Sequence, residues 1–136
     1  MTVFDWTGYL DLALEMQRRP DEASLRTAIS RAYYFVYNAA RHRAAVAQYR
    51  LDPNLPVHEE LWSLYERNDG ECRRLADMAK RLKIRRVKAD YQNDSYPRAA
   101  DDLRGVISAA KDCAAILSKL DADLPKPVPK TYSFGG

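Results

Sequence analysis

Basic side chains are the residues of this sequence whose type and spacing most directly suggest a chemistry, the binding of phosphate. Residues 67–88 include nine basic side chains against three acidic ones, a local charge of +6. A smaller basic set lies earlier, around Arg41, His42, Arg43 and Arg50. Basic helix faces attract nucleic-acid backbones through counterion release, although a solvated helix surface is the ordinary alternative. The members of both sets that we predict to contact nucleic acid are Arg41, Arg43, Arg81, Lys83, Arg85, Arg86 and Lys88.

Helices are expected to position these side chains, because the apolar residues recur at helical rather than strand spacing. Prolines and polar runs predict loops at 51–56, 68–70 and 92–97. The predicted helices cover residues 5–18, 22–49, 57–67, 71–91 and 98–121. Four or five helices joined by short loops predict an all-α fold, an antiparallel four- to five-helix bundle over residues 1–124. Residues 125–136 carry three prolines and are expected to form a flexible tail or a strap onto a partner.

The second predicted helix has the most unusual composition. Apolar and aromatic residues surround its middle on nearly every side, with Tyr33, Tyr34, Phe35 and Tyr37 among them. Such a helix must be enclosed, either by neighbouring helices of its own chain or by a partner subunit.

Composition excludes several classes of protein. The chain has 136 residues, 46% of them hydrophobic, and a net charge of +3, which fits one globular domain. No stretch is apolar enough for a membrane span or a secretion signal, so we expect a cytoplasmic protein without membrane contact. Cys72 and Cys113 lie far apart and are expected to be buried thiols. With only two histidines and no glycine-rich phosphate loop, neither a metal site nor a cofactor is expected.

Two short motifs carry a resemblance to a known family. Ser30-Arg31-Ala32-Tyr33-Tyr34 lies in the long second helix, and Arg86-Val87-Lys88-Ala89-Asp90-Tyr91 ends the fourth. Together with His58 after the proline loop, their order resembles the small bacterial branch of the HEPN superfamily (higher eukaryotes and prokaryotes nucleotide-binding domains). The likeness extends over nearly all of the chain to about residue 120.

The resemblance implies a helical bundle that usually dimerises. Active members of the family are metal-independent ribonucleases, often toxins or antiviral defence effectors, whose signature is an Arg and a His with four to six residues between them. Two subunits combine these residues in one RNA-cleaving site. Arginine can hold the scissile phosphate with two hydrogen bonds, and histidine can move a proton near neutral pH.

This sequence departs from that signature at Asn38. Asn38 lies seven residues after Arg31, two helical turns along the same face, where the branch carries its histidine. Asparagine can hydrogen-bond a phosphate or a base edge, but it does not exchange a proton near pH 7. His42 lies one turn further and is the candidate substitute. The catalytic candidates are therefore Arg31, Asn38 and His42.

Structural roles compete with these functional ones. Arg31 can instead be a buried arginine paired with Asp90 on the adjacent helix. The tyrosines of the motifs, among them Tyr34 and Tyr91, are expected in the core or a dimer interface rather than as stacking platforms for bases. Asp90, Tyr91, Tyr34 and His58 are predicted to orient the site, His58 by capping or hydrogen bonding at the start of its helix.

The sequence thus favours an RNA-binding homodimer, either a metal-independent endoribonuclease or a catalytically degenerate relative. The alternative is a non-enzymatic interaction module that pairs with another operon-encoded protein, for example one resembling a nucleotidyltransferase. A nucleotide-binding bundle is a third hypothesis, supported only by the arginine and tyrosine content.

Overall fold

The computed structural model describes residues 4–127, and within them it contains five α-helices and no strand. They are α1 (Thr7–Met16), α2 (Glu22–Val46), α3 (Val57–Glu66), α4 (Gly70–Tyr91) and α5 (Ala99–Lys119). The predicted all-α bundle is confirmed. Cys72 and Cys113 are buried and free, as expected, and burial raises the pKa of the Cys113 thiol to about 12.

Helix α2 lies at the centre of the bundle and contacts each of the other four helices. Tyr33, Phe35, Val36 and Tyr37 are buried by these contacts, and small alanines between them let the neighbours approach closely. The aromatic helix is therefore enclosed by its own chain. A second copy is not needed to cover it, so the need for enclosure gives no argument for the expected homodimer.

Two arginines of α2 bind the carboxyl ends of other helices. Near the start of α2, Arg26 donates to the carbonyl oxygens of Gln92 at 2.6 Å and of Asp94, just beyond the end of α4. Near the end of α2, Arg43 donates through Nε to the carbonyl of Leu124 at 2.9 Å and through Nη2 to that of Leu120 at 3.1 Å. A cationic side chain at the carboxyl end of a helix can donate hydrogen bonds to unpaired carbonyl oxygens there, and its charge interacts favourably with the helix dipole.

These contacts also fix the helix directions. The end of α4 lies beside the start of α2, so α4 runs antiparallel to α2, while the end of α5 lies beside the end of α2, so those two are parallel. Arg43 was predicted to contact nucleic acid. In the structure its guanidinium instead donates hydrogen bonds to carbonyl oxygens of the same chain.

Helix ends differ from the predicted ones where the backbone leaves the helical region. Gln48 has a φ of 68°, which stops α2 at Val46 rather than at residue 49. Tyr49 then donates its hydroxyl to the buried carboxylate of Glu60, which also accepts from the backbone N–H of Asp52 at 3.0 Å. This carboxylate holds the loop between α2 and α3. At the α3–α4 break Gly70 has a φ of 54°, a conformation that suits glycine.

The packed part of the chain continues past the predicted boundary at residue 124. Pro125 is fully buried, and the backbone N–H of Lys126 donates to Asn68 Oδ1 at 2.8 Å. Asn68 Nδ2 donates back to the Lys126 carbonyl at 2.9 Å. The start of the predicted flexible tail is thus bound to the bundle, and residues 128–136 lie outside the described part.

The contacts of Arg43 lead to a stability prediction. We expect Arg43→Ala to lower the free energy of unfolding by about 1–3 kcal/mol, because the C-cap carbonyl of α5 and the carbonyls just beyond it lose a charged donor. Urea unfolding followed by circular dichroism measures the change. Arg41→Ala removes an exposed arginine two residues away and should stay within about 0.5 kcal/mol of wild type. Equal losses in the two variants would contradict a capping role.

Candidate nucleic-acid site

The partly exposed strip of α2 carries the first motif. Ser30, Arg31, Tyr34 and Asn38 are half-buried there, between α1 on one side and α4 on the other. The guanidinium carbon of Arg31 lies 5.0 Å from the ring centroid of Tyr9 on α1, a distance typical of a cation–π contact. The alternative pairing of Arg31 with Asp90 is not found among residues 4–127, where Asp90 instead pairs with Arg86.

The second motif faces this strip from α4. The side chain of Arg86 is 9% exposed, and its Nη1 lies 3.5 Å from Asp90 Oδ2 one turn along the helix. Its guanidinium carbon lies 5.0 Å from the ring centroid of Tyr34 and 5.8 Å from that of Tyr91. The same Asp90 oxygen accepts a hydrogen bond from Ser30 Oγ at 3.2 Å. The two motifs, sixty residues apart, thus meet in one place.

We call this place the α2–α4 seam. It is defined by Ser30, Arg31, Tyr34 and Asn38 of α2 with Arg86, Asp90 and Tyr91 of α4. Arg86 is the deepest of its charges, and its Nε atom is buried without a hydrogen-bond partner in the described part of the chain. The tyrosine rings around it compensate in part, since their faces attract a cation.

The side-chain amide of Asn38 makes one hydrogen bond within its own helix. Its Nδ2 donates to the carbonyl oxygen of Tyr34 at 2.8 Å, which leaves one N–H and the amide oxygen for a ligand. His42 is exposed one turn further along α2. Eleven residues separate it from Arg31, about 16 Å of helix rise, so the two side chains of one chain are too far apart to act on one phosphate.

His58, at the start of α3, belongs to a chain of hydrogen bonds beneath the seam. Trp62 Nε1 donates to Tyr33 Oη at 3.2 Å, and Tyr33 Oη lies 2.6 Å from His58 Nδ1. Since Tyr33 accepts from Trp62, we assign its proton to the bond with His58, which makes Nδ1 the acceptor and Nε2 the protonated nitrogen. The imidazole also stacks on Tyr37, with ring centroids 4.1 Å apart.

The surroundings of His58 keep it neutral. Burial, together with the positive charges of Lys83 and Arg86, lowers the pKa of the imidazole to about 4. His58 therefore takes the predicted hydrogen-bonding role, although it bonds Tyr33 rather than capping α3, whose first turn has no side-chain cap. A neutral imidazole with its acceptor nitrogen occupied is a poor base at pH 7.

The tyrosines of the motifs differ in exposure. Tyr33 and Tyr37 are buried, and desolvation raises the pKa of the Tyr33 hydroxyl to about 12. Tyr34 is half-buried in the seam. Tyr91 is 70% exposed, which excludes the core for it and leaves the dimer interface as the untested half of the expectation. Ile84 and Val87 of α4 are exposed beside it.

The basic segment does not form one face. Arg86 lies in the seam, Arg85 pairs with Asp102 of α5 at 3.1 Å, and Lys88 Nζ lies 4.4 Å from the ring centroid of Tyr96. Arg41 and Arg81 are exposed, and Lys83 is half-buried near His58. Five of the nine basic side chains form ion pairs, namely Arg73, Arg74, Lys80, Arg85 and Arg86. The predicted basic surface is therefore divided among several directions.

Sequence reasoning missed two members of this site. Ser30 lay within the quoted motif without a role, and its hydroxyl links the two helices through Asp90. Tyr9, the aromatic partner of Arg31, gave no signal at all, because it belongs to another helix and matches no motif.

Comparison of the chain with protein-family models, with curated proteins and with solved structures finds no match. Across residues 4–127, no cluster of three or more His, Cys, Asp or Glu side chains is placed to hold a metal ion. None of the helices described here is long and apolar enough to cross a membrane. The HEPN resemblance thus depends on the sequence motifs alone.

The environment of His58 predicts a pH dependence. Its pKa is about 4 in the folded chain and about 6.5 in the unfolded one, so between these values the unfolded chain binds the extra proton. The free energy of unfolding should therefore fall as the pH decreases from 6.5 to 4, by about 2 kcal/mol after allowance for the partial exposure of the ring.

Urea unfolding at several pH values measures this loss, and His58→Gln should flatten the slope in that window, whereas His42→Gln should keep it. In His42→Gln the remaining imidazole signal can also be titrated directly by NMR. A midpoint near 6.5 for that signal would contradict the neutral, hydrogen-bonded His58.

Proposed function

We propose that this protein binds single-stranded RNA at the α2–α4 seam and that it is a catalytically degenerate, HEPN-like bundle. The observation that carries the proposal is the meeting of the two motifs, in which Ser30 bonds Asp90 and Arg86 lies against Tyr34. Arg86 thereby lies against the half-buried Tyr34, and Arg31 lies about one turn away on α2 with its guanidinium against Tyr9.

This arrangement suits a flexible nucleic acid better than a rigid duplex. Single-stranded RNA is bound by cations that follow its backbone and by aromatic rings on which its bases stack. Arg31 and Lys83 are partly exposed cations near the seam, and Tyr91 offers an exposed ring at its edge. Asn38 keeps an N–H and an oxygen for a base edge or a phosphate.

Binding rather than cleavage follows from the proton chemistry of the seam. Transfer of a ribose 2′-hydroxyl proton needs a group that exchanges protons near pH 7. Asn38 has no such proton, His58 is neutral with its acceptor nitrogen bonded to Tyr33, and His42 is three turns from Arg31 of the same chain. The positioning groups of a ribonuclease are present without its base.

The variants Arg31→Ala and Asn38→His test this proposal together. With a fluorescent single-stranded RNA and no metal, wild type should bind without cleavage. Arg31→Ala should bind about tenfold more weakly, because a charged hydrogen bond to phosphate is lost. Asn38→His should keep the affinity and gain measurable cleavage, because it restores a group that can move a proton.

The matched control is Arg104→Ala, which removes an exposed arginine from α5. It should bind RNA as wild type does. Binding should weaken about 20-fold between 50 and 200 mM salt if three phosphates are neutralised. Affinity independent of salt, or equal losses in Arg31→Ala and Arg104→Ala, would contradict the seam as the binding site.

A second candidate function is that of a protein-interaction module, and one observation favours it. Ile84, Val87 and Tyr91 are 68%, 42% and 70% exposed, and their spacing of three and four residues places them on one stripe of α4. Exposed apolar stripes of this kind commonly bind a partner protein or a second copy.

The expected homodimer can be tested at this stripe. We expect wild type to dimerise in sedimentation equilibrium and the double variant Ile84→Ser, Val87→Ser to shift toward monomer, since apolar area is lost from the contact. Val46→Ser, which removes an exposed apolar side chain from α2, is the control and should leave the dimer unchanged. A wild-type monomer would remove the homodimer from the proposal.

A further inference from the structure

A second candidate site lies on another side of α4 and shares no residue with the seam. Between α4 and α5 the structure has an open groove of about 320 Å³. Met78 and Leu82 of α4 and Val106 and Ala109 of α5 line it with apolar atoms. Pockets of a few hundred cubic ångströms lined by apolar side chains are the usual size for small ligands.

Gly105 contributes to this groove in an unusual way. It is the seventh residue of α5, well inside the helix, where glycine is less stable than alanine. A Cβ atom added there would have no other atom within 4 Å, so packing within the described chain does not require a glycine. The missing side chain leaves the wall of the groove open.

The rim of the groove carries one cation without a partner. Arg85 pairs with Asp102 at 3.1 Å and closes one end. Asp101 pairs with Arg104 on the same helix. Arg81 lies one turn along α4 from Arg85, is exposed, and forms neither an ion pair nor a hydrogen bond with residues 4–127. The rim therefore presents a single free positive charge above an apolar floor.

We infer that this groove binds a linear amphipathic carboxylic acid, with its hydrocarbon part on Met78, Leu82 and Val106 and its carboxylate on Arg81. Arginine binds a carboxylate through two parallel hydrogen bonds, which fixes the orientation of the ligand. Methionine adapts its shape to a flexible chain. Gly105 supplies the width that a hydrocarbon chain needs. The inference is independent of RNA binding, because the seam and the groove share no residue.

The probe is decanoate, with decanol as the probe that lacks the charge. Decanoate should raise the melting temperature of wild type in a concentration-dependent manner, as any ligand of the folded state does. It should also shift the NMR signals of Ala109 and Val106 methyl groups. Arg81→Met should weaken decanoate binding about tenfold and leave decanol binding unchanged.

Gly105→Leu is the decisive variant, because it fills the groove while improving the helix. It should raise the melting temperature of the free protein by about 3 °C and abolish decanoate binding. Gly8→Leu is the matched control, since Gly8 is also helical with no atom within 4 Å of an added Cβ. It should keep decanoate binding, as should Arg73→Met on α4.

Three results would overturn the inference. The first is no effect of decanoate on wild type. The second is equal decanoate affinity in wild type and Gly105→Leu, which would place the ligand elsewhere. The third is equal affinity for decanoate and decanol in wild type, which would remove Arg81 from the site. None of these would affect the RNA-binding measurements on Arg31→Ala.

Discussion

The arrangement of the bundle depends on α2, whose two arginines bind the carboxyl ends of α4 and α5. Arg26 and Arg43 lie at opposite ends of this central helix, and each donates to several carbonyl oxygens of a different neighbour. Because these donors are charged and their acceptors are helix ends, each contact combines hydrogen bonding with the helix dipole. The contacts thereby set how far α4 and α5 can slide along α2. With Arg26 bonded to Gln92, Asp90 comes to lie beside Ser30, one turn along α2.

In the seam, burial determines which charge states its side chains can adopt and therefore which reactions they can take part in. Arg86 is held almost out of water by tyrosine rings and a single carboxylate. Its charge, with that of Lys83, acts on His58 in the same direction as desolvation. A histidine placed here for hydrogen bonding is thus prevented from taking a proton at neutral pH. The same charge that would attract the proposed RNA backbone therefore disfavours a protonated His58.

Much of the fold could be predicted from the sequence, because apolar spacing reports which residues of a helix are buried. The five helices and the loops follow from that spacing, whereas the adjacency of the two motifs was expected from the resemblance. The residues that each arginine contacts do not follow from that spacing. Arg85 and Arg86 are neighbours in the sequence, but successive residues turn by about 100° around a helix, so one faces α5 and the other the seam. Arg43 looks like a surface cation in the sequence, and only the position of the α5 carboxyl end shows its role.

The distribution of charge around α4 also explains why the mild net charge of the chain is a poor guide to its ligands. If the +6 segment lay on one face, it would form a single positive surface that attracts anions with little selectivity. Here Arg86 and Arg81 lie about 140° apart around α4. The exposed apolar stripe of Ile84, Val87 and Tyr91 lies between them on the solvent side of the helix, and the core lies between them on the other side. Each cation has its own aromatic or aliphatic neighbours, so each sits in a separate environment. In the two proposals made above, one basic helix would thereby serve two sites of different chemistry, since the neighbouring helices determine the surroundings of each charge.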